Sequence, residues 1–381
     1  MVLLAVALIA AAGCSGDDEP TLFGKLIFLP RSTGDYDIRL RTSNDRRPVE
    51  LGRVLPWDSQ PEWSPDGTRM AFYSDRKFNL PDRDNNVDIY VMEANGGQLT
   101  RLTDHQASDA FPHWSPDGKR IVFYSDRDGN GEIYVMNADG SGVTRMTENE
   151  AIDIPYGWSP DGRSVLFTSG RNGTLDLFVL GAEDRGVKRL TKLRGHEVAA
   201  RWSPDGSRIA FESSISGSSE VFVINADGSG IVNLSVRHLR DAYPVWSPDG
   251  VLLAFISDRT ADIEIYVLDT DFSYLNPITV SPREDAWPAW SPDGTRIASV
   301  SNRDFNREIY AANADGTGQT RLTNDAGSFD LSPTWSPDGS RIAFVKAQGG
   351  RRDVYVVNAD GSELLRLTND EGQAAAAPGE E

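Results

Sequence analysis

The pentapeptide Trp114-Ser115-Pro116-Asp117-Gly118 decides how this chain folds, because the chain contains it seven times. The intervals between successive copies are 51, 44, 44, 44, 44 and 45 residues. A period in the forties with one tryptophan per unit is typical of an array of blade-like sheets. The copies begin at Trp63, Trp114, Trp158, Trp202, Trp246, Trp290 and Trp335.

The second repeat indicates how one unit folds. Residues 109–114, 121–125, 132–137 and 144–147 predict four short strands, A to D, joined by turns that contain Asp-Gly. In the A–B turn, Pro116 supplies a fixed φ and Gly118 a positive one. Each unit is therefore an antiparallel meander, and such sheets stack radially into a β-propeller. The tryptophan that ends strand A is expected to pack between blades.

The repeats predict an all-β propeller with eight blades, spanning residues 21–370. Residues 26–28, 36–38 and 48–51 resemble strands B, C and D, and residues 21–23 supply an inner strand. These would form one degenerate blade beside the seven regular ones. The alternative is a seven-bladed propeller preceded by an N-terminal flap. Residues 371–381 are polar and alanine-rich, and we expect them to be a disordered tail.

The N-terminal end predicts export. Residues 1–12 are uncharged and apolar, too short a run to span a bilayer but suited to a signal peptide over residues 1–13. The small residues before Cys14, the single cysteine, resemble a bacterial lipoprotein processing site. That resemblance implies cleavage before Cys14, acylation of its sulfur and a membrane anchor, with residues 14–20 as a lipidated cysteine and tether. The alternative is an ordinary signal peptide with an incidental cysteine.

The net charge of the 381-residue chain is −19. A nucleic-acid partner would require a basic surface to meet phosphates, so none is expected. An acidic surface suits a soluble, self-repelling body, which we expect to be a monomer, or one that meets cations or basic partners.

An acid stands five residues before each repeat tryptophan, at the predicted start of every strand A. Two explanations remain open. Each acid could accept backbone N–H bonds at the turn into strand A. The acids could also form a ring of negative potential that binds a cation or a basic segment of a partner. They are Asp58, Asp109, Asp153, Glu197, Asp241, Asp285 and Asp330.

Between the acid and the tryptophan the copies diverge, which makes this stretch a candidate binding surface. Phe111, His113, Arg201, Tyr243 and Trp287 occupy the positions three or one before the tryptophan. They predict an asymmetric lining near the mouth of the central channel. Packing between blades explains the aromatic residues equally well.

One turn resembles half of a calcium loop. Asp126, Asp128 and Asn130 place oxygens at every second position and precede Gly131. The twelfth position holds Asn137, where a bidentate glutamate is expected. Calcium is therefore a candidate cofactor, and a hairpin turn rich in Asp and Gly is the alternative.

Catalysis is not expected. The chain has no Gly-x-Ser-x-Gly sequence, and its single cysteine is assigned to lipid. Its four histidines, His105, His113, His196 and His238, lack the short spacing of metal ligands.

The consensus Trp-Ser-Pro-Asp-Gly-x-Arg-Ile-Ala-Phe, followed by Ile-Tyr-Val and Arg-Leu-Thr, resembles the repeat of TolB-like β-propellers over about residues 21 to 370. The resemblance implies a periplasmic or surface-exposed propeller that binds another protein. We therefore expect a lipid-anchored, non-catalytic protein of the cell envelope that binds a protein, peptide or cell-wall component at its acidic channel face. The alternative is a lyase or hydrolase acting on glycans with a metal in the channel.

Overall fold

A computed structural model of the chain describes residues 25–30, 36–41, 49–50, 58–75, 86–235, 240–260, 262–269 and 274–368. The chain divides into two compact units, Met1–Arg53 and Val54–Glu381. The predicted signal peptide, Cys14, the expected inner strand at 21–23 and the tail lie outside the described residues. In the first unit, β1 (Lys25–Pro30), β2 (Tyr36–Arg41) and β3 (Val49–Glu50) pair antiparallel in that order. None of the residues described here belongs to a helix that could cross a membrane.

The second unit contains seven four-stranded sheets among its described residues. Blade 1 has β4 (Asp58–Trp63), β5 (Arg69–Ser74), β6 (Asp88–Glu93) and β7 (Thr100–Arg101). Blade 2 has β8 (Asp109–Trp114), β9 (Arg120–Ser125), β10 (Glu132–Asn137) and β11 (Thr144–Arg145), and blade 3 has β12 (Asp153–Trp158), β13 (Ser164–Ser169), β14 (Asp176–Gly181) and β15 (Val187–Arg189). Blade 4 has β16 (Glu197–Trp202), β17 (Arg208–Ser213), β18 (Glu220–Asn225) and β19 (Val232–Asn233). Blade 5 has β20 (Asp241–Trp246), β21 (Leu252–Ser257), β22 (Glu264–Asp269) and β23 (Leu275–Pro277); blade 6 has β24 (Asp285–Trp290), β25 (Arg296–Ser301), β26 (Glu308–Asn313) and β27 (Thr320–Arg321); blade 7 has β28 (Phe329–Trp335), β29 (Arg341–Gln348), β30 (Arg351–Asn358) and β31 (Leu365–Arg366).

Every blade is an antiparallel meander whose strands A to D follow one another in the sequence. This confirms the predicted four-stranded blade. Strand A of each blade contacts strand A of the blade before it and of the blade after it, and β28 contacts β4 in the same way. The seven A strands therefore surround a common axis, as in a closed propeller.

The propeller has seven blades, so the prediction of eight was wrong. Blade 7 packs directly on blade 1, where Trp63 Nε1 donates a hydrogen bond to Thr334 O at 3.4 Å. At the same junction Thr368 Oγ1 donates to Asp58 Oδ2 at 2.6 Å. These contacts close the ring and leave no space between blades 7 and 1 for another sheet. The N-terminal strands β1–β3 instead form a three-stranded sheet in a separate unit.

The Ser-Pro-Asp-Gly turn forms a second ring of contacts. In blade 2, Ser115 Oγ donates to Asp117 Oδ1 at 2.6 Å, and Gly118 has a φ of 66°. A Cβ on Gly118 would lie 3.8 Å from Pro65 Cδ of the turn in blade 1. The same glycine–proline contact recurs at every junction, ending with Gly67 against Pro337, which explains why each repeat keeps both residues.

The repeat tryptophans pack between blades, as predicted. The Trp158 ring lies under the guanidinium of Arg120 from the preceding blade, 4.6 Å from its centroid, and Trp158 Nε1 donates to His113 O at 3.2 Å. Trp202 differs, because Ser164 stands where the arginine is expected and its Nε1 is buried with no partner among the described residues. The junction between blades 3 and 4 is therefore the least regular of the ring.

Candidate functional site

A β-bulge interrupts strand A of every blade two to three residues before the tryptophan. In six blades a residue other than glycine takes a left-handed conformation there, with φ between 50° and 54°. Such a conformation costs about 1–3 kcal/mol, and residues held in it cluster at functional sites. These six residues are Gln60, Phe111, Ala199, Tyr243, Trp287 and Ser332.

The side chains around the bulge form the channel lining, which we define as the residues three and one before each repeat tryptophan. The flanking acid and tryptophan point into the scaffold, whereas most lining residues are partly or fully exposed. All five predicted lining residues lie on strand A, the innermost strand, and are at least partly exposed: Phe111, His113, Arg201, Tyr243 and Trp287. Phe111 also packs edge-on against Tyr73 and Tyr124, so packing between blades accounts for part of its surface. The role of the lining residues in binding stays a prediction.

One side of the lining carries a carboxylate–imidazole pair. His113 Nδ1 lies 2.6 Å from Glu62 Oε2, and the other oxygen of Glu62 accepts the backbone N–H of Trp114 at 2.9 Å. Glu62 thus fixes the orientation of the imidazole through Nδ1, and no hydrogen bond joins Nε2 to a described residue. Gly157 lies next to the imidazole, where an added Cβ would make an ordinary contact 3.8 Å from the ring, and its φ of 118° favours glycine. The sequence analysis did not predict this pair, although Glu62 and His113 occupy the same repeat position in adjacent blades.

The other side of the lining is cationic and aromatic. Arg201 is exposed and its Nη1 donates to Ala200 O at 3.0 Å. Tyr243, with 40% of its surface exposed, donates its backbone N–H to Glu212 Oε1 at 2.7 Å. Burial is the main cause of a raised pKa at Glu212. Trp287 lies under the guanidinium of Arg307, 5.6 Å from its centroid. The lining is therefore chemically asymmetric on a repeating scaffold.

The seven predicted ring acids lie at the start of strand A, as expected, but all are buried. Their charges are met by side chains, such as Arg127, whose Nη2 lies 2.9 Å from both oxygens of Asp109. A ligand on the axis would therefore meet the lining before these carboxylates. The partners are Thr368 for Asp58, Arg127 for Asp109, Arg171 and Asn149 for Asp153, Thr191 and Ser213 for Glu197, Arg259 for Asp241, Arg303 for Asp285 and Lys346 for Asp330.

A second row of buried acids, which the sequence analysis missed, occupies the equivalent position of every strand C. The threonine or serine two residues after each strand D accepts the backbone N–H of the residue that follows this acid. The sequence does contain a signal for this second row, because every strand C begins at or near an Asp or Glu. These acids are Asp88, Glu132, Asp176, Glu220, Glu264, Glu308 and Asp353.

Four of the buried acids, Glu197, Glu220, Glu264 and Asp330, lack an arginine that other repeats provide, and Asn233 takes its place beside Glu220. Ile215 replaces it beside Glu197, and Pro277 replaces it beside Glu264. Burial raises the pKa of Glu197, Glu264 and Asp330 to about 7 in each case. The cause is desolvation, which disfavours the charged form of a buried carboxyl group.

The predicted calcium residues each have a partner in the surrounding turn. The matching residues of blade 6, Asp304 and Asn306, make similar contacts, which indicates a role in the scaffold. Calcium binding stays a prediction, and a calorimetric titration without heat or thermal shift would contradict it. The partners are Ser108 N for Asp126 Oδ1 at 2.8 Å, the Tyr134 hydroxyl and Arg145 for Asp128, and the carbonyl oxygens of Asn149 and Ala151 for Asn130 Nδ2 at 3.0 and 2.7 Å.

The described residues contain no group of three or more His, Cys, Asp or Glu side chains arranged to hold a metal ion. His105, His113 and His196 lie in blades 1, 2 and 3 or in the connections that follow them, and His238 lies outside the described residues.

Comparison with known protein families agrees with the repeat and its blade. The TolB β-propeller domain matches residues 186–287 and 284–379, which together are more than half of the chain. The chain belongs to the TolB β-propeller domain family. The N-terminal β-propeller domain of Tricorn protease also matches, over residues 84–175.

Individual relatives of this TolB-family chain include enzymes. The uncharacterized peptidase YuxL of Bacillus subtilis is 35% identical over 80 residues, which cover 19% of this chain and only 11% of that relative. A puromycin-hydrolyzing peptidase of Mycobacterium tuberculosis has a TM-score of 0.70 at 13% identity, covering 86% of this chain and 55% of that one. An oligogalacturonate lyase in complex with manganese has a TM-score of 0.62 at 17% identity, covering 87% and 97%. At these identities the two solved structures establish the propeller fold alone.

Proposed function

We propose that this TolB-family propeller is a non-catalytic binding protein of the cell envelope that holds a protein, peptide or cell-wall component at its channel lining. The observation that carries the proposal is the contrast between a repeating scaffold and a lining that does not repeat. Glu62 and His113 lie on one side of the lining, and Arg201, Tyr243 and Trp287 lie on the other. Aromatic and arginine side chains are the residues that most often dominate binding energy.

The buried acids have a supporting role in this proposal. These acids are buried and paired or hydrogen-bonded inside the scaffold, so they fix the start of strand A. The channel lining, and not the ring acids, would contact the ligand directly. Neutralising a ring acid that pairs with an arginine, such as Asp241, is therefore expected to weaken folding, whereas changing a lining residue is expected to weaken binding alone.

A pair of tyrosines in blade 5 provides a matched test of the channel lining. Tyr243 lies in the lining and Tyr274 lies outside it, and each exposes 40% of its surface. We would replace each in turn by a photo-cross-linking phenylalanine analogue in the full chain and irradiate intact cells. The proposal predicts an adduct from position 243 that is absent from position 274 and is lost on Arg201→Glu. Equal adducts from both positions, or none from 243, would contradict it.

The membrane anchor is a separate part of the proposal and has its own test. Acyl chains on Cys14 would hold the protein on a membrane facing the periplasm or the cell surface. Cys14→Ser should move the protein from the membrane fraction to the soluble fraction, with unchanged propeller stability. Retention of the variant in the membrane fraction would contradict lipid anchoring.

The second candidate function is a glycan-active lyase or hydrolase with a metal in the channel. It is favoured by the Glu62–His113 pair, because a carboxylate that orients an imidazole is common behind metal-bound histidines. It is also favoured by the similarity to the oligogalacturonate lyase. A stoichiometric transition metal after purification, with cleavage of oligogalacturonate that is lost on His113→Ala, would support this function over binding alone.

A further inference from the structure

The three most exposed large apolar side chains of the described residues lie close together on the rim at which the A strands begin. Val280 is 79% exposed, Phe305 is 82% exposed and Phe329 is 54% exposed. Val280 lies in the connection into blade 6, Phe305 in the B–C turn of blade 6, and Phe329 at the start of blade 7. We call these three residues the rim patch.

Contacts on both sides of the B–C turn hold the rim patch together. On one side, the guanidinium of Arg283, three residues after Val280, covers the Phe305 ring 4.2 Å from its centroid. On the other side, Asn306 Nδ2 donates to Ser328 O at 3.4 Å, directly before Phe329. These contacts link the B–C turn of blade 6 to the segments that carry Val280 and Phe329.

The backbone at Phe305 indicates that this side chain is not there for folding. Its φ is 74°, and its N–H donates to Asn302 O at 3.0 Å. The same turn in blades 2, 3 and 4 has the same hydrogen bond but holds glycine, and a Cβ on those glycines would meet nothing within 4 Å. A bulky residue with positive φ is a strained outlier. The strain at Phe305 is thus maintained for a side chain that projects into solvent.

Arginines surround the rim patch. Arg283 makes no ion pair with a described carboxylate, and Arg307 meets only Glu284 at the long distance of 3.9 Å. By contrast, the nearby acids Asp304 and Asp325 each have a closer cationic partner. Arg283 and Arg307 are therefore two cations without a close carboxylate partner among the described residues, on a chain whose net charge is −19. Its combination of exposed aromatic and arginine side chains is typical of binding hot spots.

We propose that the rim patch docks a protein partner that presents an apolar pocket bordered by carboxylates. Phe305 would enter the pocket, Val280 and Phe329 would cover its edge, and Arg283 and Arg307 would pair with the carboxylates. A membrane surface fits less well, because three side chains bury little area and the strongly negative chain is repelled by anionic lipid. Phe305 makes the test independent of the channel lining, whereas Arg307 also contacts the lining residue Trp287.

The test compares equivalent turn positions in the full chain. The photo-cross-linking residue is placed at 305, at 329 and at 217, the matching position of blade 4, and intact cells are irradiated. We expect positions 305 and 329 to give the same protein adduct, with a cross-linked peptide that contains Asp or Glu, and position 217 to give none. Absence of the adduct at 305 and 329, an equal adduct at 217, or cross-linking to lipid instead would overturn the proposal.

Two sets of variants then measure affinity for the cross-linked partner. Phe305→Gly restores the residue of the sibling turns, so it should fold at least as well as the wild type and bind about tenfold more weakly. Arg283→Glu with Arg307→Glu should weaken binding by about tenfold or more. Arg163→Glu, a reversal at an exposed arginine outside the patch, should change it less than about twofold. Unchanged affinity in Phe305→Gly, or equal losses in all three, would also overturn it.

Discussion

The hydroxyl of Thr368, at the end of the last blade, donates a hydrogen bond of 2.6 Å to Asp58, the first residue of the first blade. The contact joins residues 310 positions apart. Since all four strands of blade 7 come from the C-terminal part of the second unit, side-chain contacts of this kind, and not a shared strand, close the ring.

Thr368→Val should therefore destabilise the propeller while keeping the shape of the side chain. It removes the donor to Asp58 and the acceptor of the Val354 N–H, both buried. We expect a loss of about 1–3 kcal/mol in the free energy of unfolding, measured by chemical denaturation. Thr100→Val, at an exposed residue of a D strand, is the control and should cost less than about 0.5 kcal/mol. Equal losses in the two variants would argue against closure at this contact.

Glu197 should make stability fall as pH rises. Its pKa is about 7 in the folded state against an ordinary 4.5, so between these values the folded chain holds a proton that the unfolded chain has lost. Stability from this group is complete below about pH 4.5 and is lost as pH passes through 7. Glu197→Gln should therefore raise the melting temperature at pH 8 and leave it nearly unchanged at pH 5, a gain of about 2 kcal/mol at pH 8.

The matched variant for that experiment restores the missing partner. Ile215→Arg places an arginine where Arg127 meets Asp109 in blade 2, and it should lower the pKa of Glu197 and raise stability at pH 8. Asp241→Asn, which breaks an existing arginine pair, should instead destabilise the protein at pH 8. Stabilisation by Asp241→Asn would contradict this assignment of partners.

The repeat tryptophans should not be equivalent. Trp158→Ala removes a buried ring, its stacking with Arg120 and an indole hydrogen bond, and should cost about 3–5 kcal/mol. Trp202→Ala removes a ring that lacks both contacts, so its cost should be smaller by about 1–2 kcal/mol. Thermal denaturation of the two variants measures the difference. A larger loss for Trp202→Ala would show that Ser164 does not weaken that junction.

Much of the fold was predictable because the repeat encodes local geometry. Trp-Ser-Pro-Asp-Gly specifies a turn whose Pro and Gly conformations follow from covalent structure, and the Asp-Gly pairs specify the remaining hairpins. The blade count was not predictable in the same way. Residues 25–30, 36–41 and 49–50 form strands, as expected, but whether a sheet joins the ring depends on contacts such as Thr368 with Asp58, which no local pattern reports.

The candidate site was predictable in position but not in chemistry. Variation among the copies directed attention to the residues between the ring acid and the tryptophan, and their role in binding stays a prediction. The pairing of Glu62 with His113 joins two blades across 51 residues, so it required the register of adjacent strands. Likewise, the ring acids were expected at the start of strand A, but their arginine partners lie 18 residues away at the end of strand B.

The central claim is that blade 7 lies directly against blade 1, and one disulfide tests it. A Cβ on Gly67 would lie 3.9 Å from Pro337 Cβ, which is within the range for a disulfide. With Cys14 replaced by serine, Gly67→Cys combined with Pro337→Cys should oxidise almost completely, as measured by thiol titration and gel mobility without reductant. The control pairs Gly67→Cys with Pro116→Cys, whose partner in the ring is Gly162, and should stay reduced. A 67–337 pair that stays reduced, or oxidises no more than the control, would contradict the seven-bladed ring.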